Sequence, residues 1–377
     1  MPGKHICIVT QSHLCRNPRV VKEAKALAQA GYRVTILNSS YDKSLSDLDR
    51  NMIHGYDIRL IPVVSLEIHN AASFKYRIIK KAGDFLVRNF KMQTPLALGY
   101  GSLRYKKAAM AQNADLYICH QELGLYCGVQ LLKLRKVTAF DFEDWYSEDL
   151  LEEARRRRPL KLLQQLEKIA LQKGAFCTTT SASMAAGLAK RYRSPVPEIV
   201  YNSFAADDDL LSVPKSFEPP LKLFWFSQTI GPGRGLEQFL QFSGQINTQI
   251  EIHLLGQADE KYSKLLSAVQ NRHKVVFHPL VPPDKLAERI AGFDIGLALE
   301  ETRPASRDLT ITNKFFQYID SGLPVIATAT LGQKEIFDVM EPGFLIDDYD
   351  SPDLATRLEN WLKDSDAIKN KRENAVL

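Results

Sequence analysis

No stretch of the chain offers the roughly 18 consecutive apolar residues that a bilayer-spanning helix requires. Cysteine is scarce. The five thiols, at positions 7, 15, 119, 127 and 177, show no C-x-x-C spacing and mostly sit in apolar runs. They read as packed thiols in a reducing compartment rather than as disulfides or a zinc framework. Excess charge of one sign is also small: a net charge of +5 lies far below the basic density of a nucleic-acid binder, so nucleic acid is not an expected partner. No Asp-x-Asp pair in a suitable context and no His/Cys cluster points to a metal, and none is expected. The N-terminal MPGKHICIVTQ lacks the charged region, apolar core and cleavage site of a signal peptide, which makes the cytoplasm the expected location.

What is present is length and alternation. A chain of 377 residues exceeds one ordinary core and predicts two domains. In the first half, the apolar runs HICIVTQ, YRVTILN, DIRLIPVV, ADLYICH, KVTAFDF, AFCTTTS and PEIVYNS read as strands, mostly separated by helical stretches. NPRVVKEAKALAQAG is such a stretch, with Asn17 as N-cap, Pro18 at the first helical position and Gly31 past the end. Its Val20, Val21, Ala24, Leu27 and Ala28 repeat at helical spacing and should face a sheet.

The segment AADDDLLSVPKSFEPP, with three prolines and no period, predicts a linker over 205–220 between domains 1–204 and 221–377. Its run Asp207 to Asp209 reads as solvated. The alternation then restarts with LKLFWFS, QIEIHLLG, KVVFHPL, FDIGLALE, LPVIATA and GFLID. The predicted fold class is therefore α/β: two Rossmann-like parallel-sheet domains facing each other across a cleft, with ligands at the carboxyl ends of the strands.

Two stretches of the second half carry anion chemistry. WFSQTIGPGRGLEQFL is a strand, a turn with Gly231, Gly233 and Gly235, and a helix. Glycines let backbone N–H groups approach a phosphate, and Arg234 adds a full charge at the helix mouth. DLTITNKFFQYIDSGLPVIATAT places Thr312 at an N-cap, Ile311 and Phe316 at staple positions, and Asn313 and Lys314 in the first turn. Lys314, Gln317 and Ser321 share one face at spacings of three and four, predicting an exposed polar stripe beside the helix mouth. An ordinary tight turn and a solvated helix face are the plain alternatives.

In the first half, His120 follows a strand, and Asp141, Glu143 and Asp144 end the next. Such carboxylates could act as acid or base or bind sugar hydroxyls, although structural roles are commoner. FKYRIIKKAGDFLVRNFKM, residues 74–92, sets Arg77, Lys80, Lys81, Arg88 and Lys91 against Phe74, Ile78, Phe85 and Leu86. Two readings stay open: an interfacial helix on an anionic membrane, or a solvated face over a core. The RRRR run at 155–158 poses the same question.

With these pieces in order, the chain resembles the family-4 glycosyltransferases over nearly its whole length. NPRVVKEAKALAQAGYRVTIL is similar to the family's first helix and second strand, ADLYICHQELG to its strand ending in His, and FDFEDWYSED to its Asp-x-His-Glu segment. PEIVYNSF resembles the strand before the hinge, GPGRGLE the donor-phosphate loop, and NKFFQYIDSGLPVIATATLGQKEI the elements around the nucleotide-sugar. The resemblance implies the GT-B fold and transfer of a sugar, with retained configuration and without a metal cofactor, from a UDP- or GDP-linked donor. The acceptor would be a glycan or lipid-linked molecule in cell-surface polysaccharide or glycoconjugate synthesis.

Position by position, the resemblance implies catalytic roles for His120, Arg234 and Lys314. It implies donor contacts for Thr229, Gly231, Gly233, Gly235, Thr312, Asn313, Gln317 and Glu335, and an acceptor side at Arg19, Asp141 and Glu143. The chain departs from the pattern in places. The first Glu of the family's E-x7-E pair falls on Leu309 and the second on Gln317, leaving Glu300 or Glu301 as substitutes only in a reshaped loop. Thr229 stands where an Arg is usual, Glu143 replaces the His of Asp-x-His-Glu, and relatives continue past Leu377 into further helices. Asn313 and Lys314 resemble a subgroup with an NK pair. The rival readings are a catalytically silent nucleotide-sugar or glycan-binding partner, a nucleotide-sugar epimerase, and a phosphorylase, for which no local lysine pattern is visible.

Overall fold

The computed structural model describes residues 3–68, 70–204, 215–269 and 272–375. The chain forms two compact units, Met1–Val200 and Tyr201–Leu377. Residues 205–214, which hold most of the expected linker and its Asp207 to Asp209 run, lie outside the described residues. Residues 201–204, expected to end the first domain, attach instead to the second unit. The Phe204 N–H donates to Asp320 Oδ2 at 2.7 Å, Asn202 donates to Asn313, and the Tyr201 ring packs against Phe316.

In unit 1 the strands are β1 His5–Val9, β2 Arg33–Ser40, β3 Ile58–Ser65, β4 Leu116–His120, β5 Thr138–Phe142, β6 Cys177–Thr179 and β7 Glu198–Ile199. They run parallel in the order β3-β2-β1-β4-β5-β6-β7. Every residue of β1 and β5 is buried, the signature of strands covered by helices on both faces. The helix Pro18–Gln29 starts as its sequence dictates: Asn17 accepts from the Val20 N–H, Pro18 occupies N1, and Val20, Val21 and Ala24 are buried against the sheet.

In unit 2 the strands are β8 Leu221–Ile230, β9 Ile250–Ala258, β10 Lys274–His278, β11 Ile295–Ala298, β12 Val325–Thr328 and β13 Gly343–Ile346. Their order is β10-β9-β8-β11-β12-β13, again all parallel. Alternation along β8 feeds two cores. Leu223 and Trp225 join Leu254 and Leu297 on one face, while Phe224 and Phe226 join Ala298 and Tyr318 on the other. Gly296 makes the second face possible, because a Cβ there would lie 2.3 Å from the Tyr318 ring.

Both sheets are doubly wound, with the strand order reversing between β1 and β4 and between β8 and β11. Those switch points leave a crevice at the strands' carboxyl ends, where ligands of such sheets bind. The five cysteines are free thiols, and burial pushes Cys15, Cys127 and Cys177 up to about 12.

Candidate functional site

The switch point of unit 2 is built from the glycine turn and the exit of β11. After Ile230, residues 231–235 turn the chain into the helix Leu236–Ser243, and Gly235 serves as N-cap at φ 70°, a left-handed value that favours glycine. A Cβ on Gly235 would sit 3.2 Å from Leu299 Cβ, so the turn lies directly against the residues leaving β11. A Cβ on Gly231 would meet nothing within 4 Å among the described residues, which leave space above the turn.

From the other side comes the helix Asn313–Asp320. Thr312 is its N-cap by position, yet its hydroxyl is buried and makes no capping bond or other hydrogen bond among the described residues. Among the described residues neither this helix nor Leu236–Ser243 has a side-chain cap, so both mouths keep first-turn N–H groups for another acceptor. Ile311 and Phe316 are both buried in the same core, as a staple requires.

Lys314 differs from expectation. Its ammonium is buried, 2.8 Å from Glu300 Oε1 and 4.9 Å from the centre of the Trp225 ring, and Ser321 is buried as well. The face carrying Lys314 and Ser321 is therefore not an exposed stripe; only Gln317 on it is half-buried. The reason is tertiary: the helix is wedged against β8 and the segment after β11, and these cover the side that spacing alone would leave to water. Burial lowers the Lys314 pKa; Glu300 opposes that shift, and Arg234 and Arg307 reinforce it. Arg234 and Arg307 thus lie within electrostatic range of Lys314. Arg307, which sequence spacing gave no reason to select, also donates to the Gly233 carbonyl, fixing the turn from a helix 74 residues away. Glu300 Oε2 is buried with no hydrogen-bond partner among the described residues.

Around this centre, Thr229 is exposed and pairs in register with Gln257, Asn313 accepts from Asn202, and Glu335 interacts with Tyr201. Ile230 pairs with Ala258, placing the turn beside an open cavity of about 380 Å³. Gly256, Ala258, Ser263, Phe277, His278 and Pro279 line it, at the carboxyl ends of β9 and β10.

Unit 1 gathers a second cluster. His120 is fully buried, with Nε2 2.7 Å from Glu23 Oε2 and Nδ1 3.0 Å from Glu143 Oε1. Burial opposes its charge, but Glu23 and Glu143 more than offset it, and the imidazole pKa is raised well above the usual value. Both ring nitrogens are occupied, so His120 presents no free nitrogen to a sugar. Arg19 Nε lies 2.9 Å from both Asp141 oxygens, its Nη2 is 2.8 Å from Oδ2, and its Nη1 donates to the Val200 carbonyl. Glu143 accepts from Asn17 Nδ2 at 2.8 and 3.0 Å. The residues expected on an acceptor side therefore hold one another. Only Glu23 and Glu143 reach the surface, at 26% and 17% side-chain exposure.

His120, Asp141 and Glu143 each bring a ligand atom within 4.8 Å of the others, a spacing that could hold a cation. The Arg19 guanidinium already supplies a positive charge to Asp141 there. Glu23 escaped the sequence reading, although it stands four residues after Arg19 on the same helical face. Gln121 escaped it too. Its φ is 63°, and its side-chain oxygen accepts from Thr10 Oγ1 and the Gln11 N–H at the β1/β4 switch point. The RRRR run is not simply solvated, because Arg158 pairs with Glu122 at 2.8 Å and Arg155 with Glu148 at 3.1 Å.

Residues 222–364 match the family model of glycosyl transferases group 1. The matched region spans the β8 turn, Glu300, Arg307 and Lys314. No curated protein matches the chain in sequence. Among solved structures, the sucrose-phosphate synthase of Thermosynechococcus elongatus is 17% identical, with 99% of this chain and 94% of that one covered at a TM-score of 0.70. Anabaena HepE in complex with UDP-glucose is 16% identical, with coverage of 99% and 93% and a TM-score of 0.65. WaaG, a glycosyltransferase of lipopolysaccharide biosynthesis, is 13% identical, with coverage of 98% and 94% and a TM-score of 0.62. With two doubly wound sheets in one chain, this likeness shows the GT-B fold.

Proposed function

We propose that the chain is a glycosyltransferase that moves a hexose from a UDP- or GDP-linked donor to a glycan or lipid-linked acceptor, with retention and without a metal cofactor. The observation that carries this reading is the convergence of Arg234, Arg307 and Lys314 on the glycine turn, inside the region matched to glycosyl transferases. In this reading the diphosphate lies over residues 231–235, held by Arg234 and the two uncapped helix mouths. The base enters the cavity beside Ala258 and stacks on Phe277 or His278.

Transfer breaks the bond between C1 and the diphosphate oxygen. The acceptor hydroxyl oxygen bonds to C1 on the face the diphosphate leaves, and its proton passes to the departing diphosphate. Fixed cations stabilise the charge that develops on the leaving group. Unit 1 takes the acceptor, with Glu23 and Glu143 as its reachable carboxylates. Cell-surface glycoconjugate synthesis is the pathway class this chemistry serves.

The experiment is transfer of labelled sugar from a panel of UDP- and GDP-sugars, with chelator and with the Arg234→Ala variant. The reading expects a chelator-insensitive rate that falls at least about tenfold in the variant. An unchanged rate in Arg234→Ala overturns the assignment. A donor-only incubation that yields a new epimer favours an epimerase instead.

One observation favours a second reading, a nucleotide-sugar binder that transfers nothing. Glu300 neutralises Lys314, which removes one of the cations a leaving diphosphate would use. Donor binding with no turnover against any acceptor supports that reading.

A further inference from the structure

The helix Ala71–Phe90 packs by one edge only. Ser73, Gly83 and Val87 are buried, and a Cβ on Gly83 would lie 2.7 Å from the Leu96 backbone. On the outer side, Phe74, Ile78 and Phe85 are 65%, 49% and 57% exposed. At 100° per residue, these three and Lys81 fall within an arc of about 60°. Ile68 and Met92 are exposed just past the two helix ends, at 68% and 49%, and Phe90, the last helical residue, is 64% exposed with its ring 5.9 Å from that of Phe85. The apolar periodicity that could have served a core is turned outward. Water is a poor partner for a continuous stripe of this kind, and such patches mark contact surfaces.

The charges around the stripe select the partner. Lys75, Lys81, Arg88 and Lys91 are exposed and make no ion pair among the described residues. The helix's one acid, Asp84, is taken by Lys80 at 2.6 Å. The next helix, Ser102–Gln112, adds exposed Leu103, and Arg104 lies over the Tyr76 ring at 5.7 Å. A second copy of the chain meeting this face would oppose like charges. A bilayer with anionic headgroups instead offers an apolar layer for the rings and phosphates for the cations, the arrangement of an interfacial amphipathic helix.

We propose that the face formed by Phe74, Ile78, Phe85 and the surrounding lysines and arginines docks on an anionic lipid surface. The proposal is independent of the transfer reaction. The test is flotation of the full chain with phosphatidylcholine vesicles, either pure or with about 30% phosphatidylglycerol, at low and high salt. Binding is expected on the anionic vesicles alone, with loss at high salt. The triple variant Phe74→Ser, Ile78→Ser, Phe85→Ser should bind roughly tenfold more weakly or worse. Its melting curve should be unchanged, because all three side chains are exposed. Replacement of Lys75, Lys81, Arg88 and Lys91 by Gln should abolish the preference for anionic vesicles. No flotation on either vesicle overturns the proposal, as does equal binding by the triple variant. So does self-association in sedimentation that the triple variant abolishes without any vesicle binding, which would make the occupant a second copy.

Discussion

The Lys314–Glu300 pair offers a quantitative perturbation. Side-chain exposures of 8% and 1% place it in the interior, so its removal obeys the rules of buried rather than surface pairs. Loss of either partner strands the other charge in a low-dielectric site, which typically costs about 3–5 kcal/mol, against 0–1 kcal/mol for an exposed pair. Lys314→Met should therefore lower stability by that amount, and with it the ammonium's contact over the Trp225 ring. Glu300→Gln should cost a similar amount at neutral pH. The double variant leaves no stranded charge, so it should cost no more than either single variant and well under the sum of the two. Urea unfolding read by circular dichroism measures all four corners. In thermal terms, each single variant should lose roughly 6–20 °C, at about 2–4 °C per kcal/mol for a unit of this size.

The sign with pH is also fixed. Burial already lowers the Lys314 pKa from 10.5, and removing Glu300 lowers it further. A lysine whose folded pKa lies below the unfolded value is relieved as pH rises, so the Glu300→Gln deficit should shrink toward pH 10. Single variants within about 1 kcal/mol of the parent, or strictly additive, would refute the reasoning.

Other outcomes follow from the same geometry. Glu359 accepts from the Asn247 N–H at 2.6 Å and the Thr248 N–H at 3.1 Å; against the cost of burial, Lys363 and these donors lower its pKa to about 2. Its stabilisation is present above pH 4.5 and is lost as pH falls toward 2, so the melting curves of the parent and Glu359→Gln should converge in acid. His120→Gln should be most destabilised below about pH 6.5, where the parent's imidazolium is fully formed, and its deficit should fade as pH rises through the raised folded pKa. A deficit that grows with pH would mean that His120 is held neutral. Gly343→Ala places a Cβ 1.9 Å from the Val325 carbonyl and should cost about 3 kcal/mol in equilibrium unfolding by parting β12 from β13.

The strands and the start of Pro18–Gln29 were legible because their determinants are local: apolar runs of strand length, an Asn N-cap and a proline at N1. The glycine turn was legible for the same reason, since a left-handed backbone position such as that of Gly235 favours glycine through local sterics alone. Lys314 was not. Spacing groups it with Gln317 and Ser321, but whether that face meets water depends on β8 and Glu300, which arrive from elsewhere in the chain. His120 fails similarly, because its position at a strand end is local while the Glu23 that occupies its Nε2 is 97 residues distant. Phe74, Ile78 and Phe85 show the converse: their period left a core face and an interfacial face open, and the structure turns them outward. Arg307 carried no local signal, since its reason for being there is the Gly233 carbonyl.

The most direct test of the central claim is equilibrium titration of the full chain with UDP- and GDP-sugars, alongside Arg234→Ala. The account predicts that at least one donor binds with a Kd below about 1 mM, and that the variant weakens it by roughly tenfold or more. Binding of no nucleotide-sugar, or equal binding by parent and Arg234→Ala, would contradict it.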